Sequence, residues 1–285
     1  MNRKSFLRLS GAALLTGLNT DARSQAAALR IGLTSVILAD QAAFLARWSG
    51  YLTNRLNNPV SFVARESYQD VLDLLFKGQL DAAWICGYPY VRHRQQLQLL
   101  AVPLYGGRPL YQAYLIRARQ STPVIRSWSD LKDKVLVYSD PLSNSGWLVA
   151  QVQLNAAGLA LNDLKKSFFA HSHRNVAEAV AARLADAGSI DGYVWETMRQ
   201  QGMAAVEQTE VVWKSGLFGF PPIVVRNNAK HPKTQALQSI LLAMQNDTEG
   251  QKLLKALNLT GFEPGTPSLF ASIGDMAVAT EARPV

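Results

Sequence analysis

The sequence predicts an α/β fold with two lobes. Short, mostly apolar segments of strand length alternate with segments in which apolar residues recur at helical spacing, and this alternation occurs in two successive series. The first series spans residues 29–86, and the second begins after residue 116 and ends near residue 215. Alternating strands and helices are typical of βαβ units. We therefore expect each lobe to be a mainly parallel sheet flanked by helices, with ligand bound in the cleft between the lobes.

The first series consists of three strands and two helices. Apolar residues three and four positions apart indicate the helices, the first of which stops at the breaker Asn57-Asn58-Pro59 and the second before Gly78. A glycine at this place is a common helix C-terminus. The third strand is almost entirely apolar, as expected of a strand buried on both faces. The predicted strands are 29–33, 60–64 and 81–86, and the predicted helices are 44–56 and 68–77.

The second series continues the pattern and then returns to the first lobe. A strand at 111–116 precedes it, and a strand at 223–226 follows the Pro221-Pro222 pair. Because the chain changes lobe near these two strands, we expect a first lobe at 27–112 plus 219–285 and a second lobe at 113–218. The other predicted elements are strands at 135–138, 168–169 and 190–194 and helices at 128–132, 145–157, 175–185, 235–245 and 248–257.

Residues 1–26 have the features of an export signal. A basic start at 2–8 precedes a short apolar run at 11–18 and a small-residue exit at 24–26. The apolar run is too short to cross a bilayer. The start also resembles a twin-arginine signal in which Lys4 replaces the second arginine. We therefore expect the protein in the periplasm, and an amphipathic helix packed on the domain is the alternative.

The composition limits the classes of function. The formal charge is +8, and removal of the predicted signal takes away four basic residues and one acidic residue, which leaves +5. This surplus suits an anionic ligand or surface, and ordinary solubility is the alternative explanation. The sequence contains no basic-aromatic array of the kind that binds nucleic acid. One cysteine cannot form an intrachain disulfide, and four histidines in no recognised ligand spacing lead us to expect no metal or other cofactor.

Residues 139–147 are the most informative segment. They follow a predicted strand and open a helix, so backbone N–H groups without intrahelical partners lie beside the side chains of Ser143, Asn144 and Ser145. Such a nest binds phosphate-like anions. Simple N-capping by one of the serines explains the same residues equally well. A hydrolase with Ser145 as nucleophile is disfavoured, because the G-x-S-x-G elbow is missing.

Other strand ends bring further side chains to the same cleft. His171 and His173 follow the strand at 168–169, where one of the two imidazoles can donate to an oxyanion, and a solvated loop histidine is the alternative. Asp191 and Glu196 lie at the end of the next strand. We expect Asp191 either to bind a protonated ligand oxygen or to orient its neighbours. Cys86 ends the third strand beside the cleft, as a buried apolar residue or as a ligand contact.

Taken in order, these segments resemble the periplasmic binding proteins for phosphonate, phosphite and phosphate, which serve ATP-driven importers. The most specific part is the Asp-Pro-x-Ser-x-Ser-Gly signature of that family, present here as residues 140–146. Asn144 stands where many members have threonine. Other matches are the tyrosine-led helix at 68–72, the Gly-x-x-Asp strand at 78–83, Ser172-His173, Ile190-Asp191, Trp213-Lys214-Ser215 and the strand at 222–226.

The resemblance implies a type II periplasmic binding fold that closes by hinge motion around a small phosphate-like oxyanion. It implies a membrane permease of an ABC importer as the partner, and a binding protein without enzymatic activity. The Gly-Pro-x-x-Tyr turn of the family is shortened here to residues 86–90, which leaves the choice between Tyr88 and Tyr90 open. The residues implied to line the site are Tyr68, Tyr90, Ser143, Asn144, Ser145 and His173, with Asp191 and Glu196 beside them.

Cys86 supports a second hypothesis on the same scaffold. A thiol that faces an oxyanion pocket can bind a soft, thiophilic centre such as arsenite or antimonite. Some periplasmic sensors of this superfamily look similar and report to a membrane histidine kinase instead of an importer. The alternative function is therefore a sensor for arsenite or antimonite that depends on Cys86.

Overall fold

The computed structural model describes residues 27–34, 42–120, 124–229 and 232–281, and the predicted export signal lies outside these ranges. None of the helices within them has the length and apolar character needed to cross a lipid bilayer. The described strands are β1 (Leu29–Leu33), β2 (Val60–Ala64), β3 (Ala82–Trp84), β4 (Leu97–Leu104), β5 (Leu110–Tyr111), β6 (Ala113–Ala118), β7 (Val135–Tyr138), β8 (Lys166–Phe169), β9 (Ala187–Asp191), β10 (Thr209–Lys214), β11 (Phe218–Gly219), β12 (Ile223–Arg226) and β13 (Gly261–Glu263). The described α-helices are α1 (Ala42–Leu56), α2 (Tyr68–Phe76), α3 (Gly87–Arg92), α4 (Val149–Ala156), α5 (His173–Ala181), α6 (Gly192–Gln200), α7 (Ala204–Glu207), α8 (Thr234–Ala243), α9 (Thr248–Ala256) and α10 (Ala271–Glu281).

In the described part of the chain, six strands form the first sheet, in the order β13-β4-β12-β3-β1-β2. β1 pairs in parallel with β2 and with β3, as the alternation of strands and helices predicts. Antiparallel pairs join β3 to β12, β12 to β4, and β4 to β13. The strand β12 enters this sheet on the return of the chain from the other lobe, so it runs opposite to β3.

The second sheet has the order β10-β6-β9-β7-β8. β7 pairs in parallel with β8 and β9, whereas β6 pairs antiparallel with β9 and β10. A separate two-stranded antiparallel ribbon, β5 with β11, lies where the chain passes between the sheets. The predicted two-lobed α/β fold is confirmed. Both sheets are mixed and not mainly parallel, because β6 and β12, which carry the chain between the lobes, and the edge strand β13 run against their neighbours.

Apolar faces of the helices pack on both sheets. On the first, the Trp48 ring of α1 lies with its centroid 4.6 Å from that of Phe62 and 5.9 Å from that of Trp84. On the second, α5 approaches β9 so closely that a Cβ on Gly188 would lie 2.6 Å from Val176 Cγ1. Tight packing of this kind fixes the positions of the strand ends at the cleft.

Two of the segments that differ from the predicted elements lie next to the strand ends at the cleft. The prediction of a strand over 190–194 is wrong at its C-terminal end, because β9 ends at Asp191 and α6 begins at Gly192. The Asp191 carboxylate accepts hydrogen bonds from the N–H groups of Tyr193 and Val194, which caps the helix. After β3, the predicted turn is the short helix α3, with Cys86 at its N-cap position.

Candidate functional site

The carboxyl ends of three neighbouring strands meet at the cleft. β7 lies between β8 and β9, and the three strands are parallel. β7 leads into residues 139–146, β8 leads to His173, and β9 ends at Asp191. Because parallel strands present their carboxyl ends at one edge of a sheet, the three segments come together at this edge.

Residues Ser143 to Gly146, called the cradle below, begin the helix that follows β7. Ser143 occupies the N-cap position, and its Oγ accepts a hydrogen bond of 2.9 Å from the Gly146 N–H. The first turn, Asn144–Leu148, is a wider π-helical turn that continues as α4. Such turns are frequent at functional sites. Each of Ser143, Asn144 and Ser145 is 0% exposed, so the cradle is enclosed by protein.

Several buried polar atoms at the cradle lack a hydrogen-bond partner among the described residues. They are Ser139 Oγ, Asn144 Oδ1 and Ser145 Oγ. Ser145 Oγ lies close enough to Tyr111 to lower the pKa of that phenol, which burial holds well above its usual range, but its geometry is not that of a hydrogen bond. Buried polar groups in folded proteins are nearly always paired. Unpaired atoms concentrated at one helix start therefore indicate a ligand site.

His173 is the first residue of α5 and is 0% exposed. Its Nδ1 accepts a hydrogen bond of 3.1 Å from the Asp191 N–H, so the proton of the neutral ring lies on Nε2. Nε2 is 3.4 Å from Tyr68 Oη and 3.5 Å from Ser143 Oγ. Burial lowers the pKa of His173 to about 3. The imidazole is thus a neutral donor that points from α5 toward the cradle.

Asp191 is 1% exposed, and both its backbone N–H and its carboxylate make hydrogen bonds at the site. Its N–H holds His173 in one tautomer, and its carboxylate caps α6. Burial raises the pKa of Asp191 to about 7, although the two N–H groups of α6 act in the opposite direction. The carboxyl group therefore changes its protonation state near neutral pH, beside a histidine that stays neutral.

These two pKa shifts predict opposite effects of pH on stability. Asp191 titrates near 3.8 when unfolded and near 7 when folded, so its contribution to stability is lost as pH rises from about 4 to 7. His173 titrates near 6.5 when unfolded and near 3 when folded, so its contribution is lost as pH falls from about 6.5 to 3. Between pH 4 and 6.5, a rise in pH therefore lowers the unfolding free energy through Asp191 and raises it through His173.

Asp191→Asn removes the contribution of Asp191 to the pH dependence of the unfolding free energy, so the contribution of His173 remains unopposed. We expect the unfolding free energy of this variant, relative to wild type, to rise by about 1.4 kcal/mol per pH unit between pH 4 and 7. Urea unfolding at four pH values measures this difference. Asp133→Asn is the control, because Asp133 is exposed and its left-handed backbone, with φ of 55°, suits asparagine equally well. If the unfolding free energies of wild type and Asp191→Asn changed with pH in parallel, the raised pKa of Asp191 would be contradicted.

The first lobe contributes Tyr68 and Cys86 to the site. The Tyr68 N–H donates to Asp140 Oδ2 at 3.1 Å, and its hydroxyl approaches His173 as described. Cys86 Sγ accepts a hydrogen bond of 3.3 Å from the N–H of Asn144, the first residue of the helical turn. Burial raises the pKa of the Cys86 thiol to about 11. A neutral thiol therefore contacts the helix start from the opposite lobe.

The structure does not bring two predicted site residues to the cradle. Tyr90 packs its ring 4.8 Å from that of Phe270, next to α10. Glu196 lies in α6, where it pairs with Arg199 at 2.7 Å and accepts a hydrogen bond of 3.4 Å from the Tyr114 hydroxyl. The structure thus groups seven of the nine predicted residues: Tyr68, Cys86, Ser143, Asn144, Ser145, His173 and Asp191.

Tyr111 is a site residue that the sequence analysis missed. It belongs to β5, in the ribbon between the lobes, and is 1% exposed. Its hydroxyl accepts a hydrogen bond of 2.9 Å from Asn144 Nδ2. The only signal in the sequence was a tyrosine at the place where the chain changes lobe, which did not indicate contact with a residue 33 positions away.

The described ranges contain no group of three or more His, Cys, Asp or Glu side chains arranged to hold a metal ion. The polar groups that surround the cradle are hydroxyls, a thiol, an imidazole, backbone N–H groups and the carboxyls of Asp140 and Asp191, each of which accepts hydrogen bonds from two backbone N–H groups. Such an arrangement can hold an anion by dipoles without a full counter-charge.

Comparison with known proteins connects this geometry to a family. Residues 15–270 match the family described as "ABC transporter, phosphonate, periplasmic substrate-binding protein". The chain is 28% identical over 195 residues to the phosphate-import protein PhnD of Mycolicibacterium smegmatis, and the match covers 64% of this chain and 60% of that protein. It therefore spans less than two thirds of that relative. Identity to the phosphonates-binding periplasmic protein of Escherichia coli is 23% over 275 residues, with 93% of this chain and 80% of that protein covered.

Solved structures share the fold. The structure of PhnD1 from Prochlorococcus marinus, in complex with methylphosphonate, superimposes with a TM-score of 0.78 at 18% identity and covers 90% of this chain and 99% of that chain. At this identity the likeness shows the architecture alone. That architecture is the two-lobed type II periplasmic binding protein fold.

Proposed function

Because the chain belongs to the family of periplasmic substrate-binding proteins of ABC phosphonate transporters, we propose that it captures a small phosphate-like oxyanion and delivers it to an ABC importer. The ligand is a phosphonate, phosphite or phosphate. Members of this family are periplasmic binding components that work with a membrane permease. For this chain we accordingly propose a periplasmic location, a permease partner and a binding role without catalysis.

The unpaired hydroxyls at the cradle carry this proposal. Ser139 and Ser145 each have a buried Oγ without a hydrogen-bond partner in the described residues, next to the backbone N–H groups of a helix start. The oxygens of a phosphate-like group accept hydrogen bonds and match this set of donors. Ordinary N-capping accounts for the buried Ser143 hydroxyl, because its Oγ accepts the Gly146 N–H. It does not account for the buried Ser145 hydroxyl, which has no partner in the described residues.

The His173 imidazole supplies a further donor. Its Nε2–H faces the gap between Tyr68 and Ser143, because the Asp191 N–H occupies Nδ1. In the bound state it would donate to a ligand oxygen. Burial raises the pKa of the Asp191 carboxyl to about 7, so its ionised form, present above that pH, would accept a hydrogen bond from a protonated ligand oxygen.

Closure of the two lobes completes the site. The proposed lobes are residues 27–112 plus 219–285 and residues 113–218, with the ribbon β5-β11 as the hinge between them. Tyr68 and Cys86 come from the first lobe, where Tyr68 meets His173 of the second lobe and Cys86 meets the cradle residue Asn144. A ligand that contacts both sides stabilises the closed form, which is the form that a permease can distinguish from the open one.

The sensor hypothesis gains no support from the environment of Cys86. Burial raises the pKa of the thiol to about 11, and soft metalloid centres bind the thiolate. Cys86 Sγ already accepts the Asn144 N–H. We therefore assign Cys86 to the wall of an oxyanion site, with arsenite binding kept as an outcome of the test below.

Calorimetry at fixed salt and neutral pH tests the proposed function. Methylphosphonate, phosphite and phosphate are titrated into the full-length protein, with sulfate and arsenite alongside. We expect at least one phosphorus oxyanion to bind. Ser145→Ala should weaken that binding by roughly 10- to 150-fold, the range for loss of a hydrogen bond to a charged group.

Ser167→Ala is the matched control, because Ser167 is an exposed serine in β8 of the same sheet. It should bind with the wild-type Kd. The proposed function is wrong if no phosphorus oxyanion binds, and the sensor hypothesis replaces it if arsenite binds and Cys86→Ser abolishes that binding.

A further inference from the structure

Two side-chain hydrogen bonds join helix α6 of the second lobe to the first lobe, away from the contacts that Tyr68 and Cys86 make. The Tyr193 hydroxyl of α6 donates to the carbonyl oxygen of Leu257 at 2.6 Å. Asn258 Nδ2 donates to Thr197 Oγ1, also in α6, at 2.9 Å. α6 follows β9 of the second sheet, whereas Leu257 and Asn258 lie between α9 and β13, the edge strand of the first sheet. Both bonds therefore exist only while the lobes are together.

The contacts are buried and well packed. Tyr193 and Thr197 are each 2% exposed. The Tyr193 ring lies edge-on to the first-lobe rings of Tyr105 and Phe220, with centroids 5.3 and 4.9 Å away. Burial raises the pKa of Tyr193 far above its usual range, so its hydroxyl keeps the proton that it donates. Asn258 has a φ of 54°, a left-handed conformation that asparagine tolerates well.

Helix α6 connects these contacts to the ligand site. Tyr193 and Thr197 are four residues apart and share one face of the helix. The same helix begins at the Asp191 cap, whose N–H holds His173. Thr197 lies roughly 9 Å along the helix axis from Asp191, beyond contact with a ligand in the cradle.

We propose that Tyr193, Thr197 and Asn258 form an interlobe latch that sets how tightly the ligand is held and how fast it leaves, without touching it. This inference rests on the proposed function for its effect on binding. A contact present only in the closed form raises the closed population, and the apparent Kd falls by the same factor. The latch residues are positioning residues.

Substitutions of the latch provide the test. Thr197→Val removes the acceptor at nearly constant shape, and Asn258→Gly removes the amide while it keeps the left-handed backbone. Each should raise the Kd for the oxyanion selected by calorimetry roughly three- to tenfold, the effect of one ordinary hydrogen bond. The increase should appear in the dissociation rate, with the association rate little changed. Thr197→Ser keeps the hydroxyl and should restore the wild-type rate.

A second measurement needs no ligand. Spin labels at Lys77→Cys and Asn155→Cys, exposed positions on opposite lobes, report the distance between lobes. Every labelled chain also carries Cys86→Ser, because opening of the cleft uncovers that thiol. The latch predicts that Thr197→Val lowers the closed fraction of the ligand-free protein by the factor found for Kd. If the wild type binds no oxyanion, the proposed function is wrong. The latch is then tested by the closed fraction alone, which must be lower in Thr197→Val than in the wild type. Folded variants with wild-type dissociation rate, or with an unchanged closed fraction, would overturn the latch.

Discussion

Gly146→Ala is expected to raise the Kd for the oxyanion at least about 100-fold, the equivalent of about 2.7 kcal/mol. A Cβ at this position would lie 1.8 Å from Ser139 Oγ and 2.8 Å from Ser139 Cβ. Rotation of the Ser139 hydroxyl relieves the first contact but not the second. The start of the helix must move instead, and with it the N–H groups of the cradle.

The same substitution should also reduce stability. Overpacking of a buried position lowers the unfolding free energy by about 1–3 kcal/mol. Calorimetry and urea unfolding together measure the two effects. Gly50→Ala is the matched control, because a Cβ on Gly50 meets nothing within 4 Å in the middle of α1. It should stabilise the protein by roughly 0.5–1 kcal/mol and leave the Kd unchanged. Wild-type affinity in Gly146→Ala would show that the cradle does not hold the ligand.

His173→Asn is expected to weaken binding by roughly 10- to 150-fold, because it removes a hydrogen bond to a charged group. The asparagine oxygen can still accept the Asp191 N–H in place of Nδ1, so the link to β9 is kept. The Nε2–H donor that faces Tyr68 and Ser143 is lost. Calorimetry gives the change in Kd, and thermal unfolding confirms that the variant is folded.

His93→Asn separates a binding effect from a general effect of histidine loss. His93 is half-buried against Phe76, with ring centroids 5.1 Å apart, and burial lowers its pKa as it does for His173. It follows α3 and contacts no cradle residue through the interactions described. Its replacement should leave the Kd at the wild-type value. Equal losses of affinity in both variants would contradict a specific role for His173.

Strand positions in the core could be predicted from the sequence because local pattern and burial agree. The predicted bounds of β1, β2 and β12 match the structure, since each is an apolar run between turn residues. The segment Gly192 to Val194 was predicted as strand because aromatic and β-branched residues favour strands. The Asp191 carboxylate decides the outcome, because it satisfies the first N–H groups of α6.

The candidate site could be predicted where neighbouring strand ends supply it, and less well elsewhere. The Ser143–Gly146 segment, His173 and Asp191 follow adjacent parallel strands, so their approach is a property of the sheet. The position of Tyr90 depends on helix geometry and not on the order of the strands. Tyr90 lies in α3, where residues two apart point in nearly opposite directions, so Tyr88 and Tyr90 cannot face the same surface. That helix was not apparent from the sequence.

A crystal structure of the protein with the phosphorus oxyanion selected by calorimetry tests the central claim most directly. The account predicts the phosphorus atom at the cradle, with ligand oxygens within hydrogen-bond distance of the Ser145 hydroxyl, the Ser145 backbone N–H and His173 Nε2. A ligand bound elsewhere would contradict it, for example in the cleft of about 160 Å³ between Tyr105, Arg108 and Tyr114. The claim would also be contradicted if the Ser139 and Ser145 hydroxyls still lacked hydrogen-bond partners in crystals saturated with ligand.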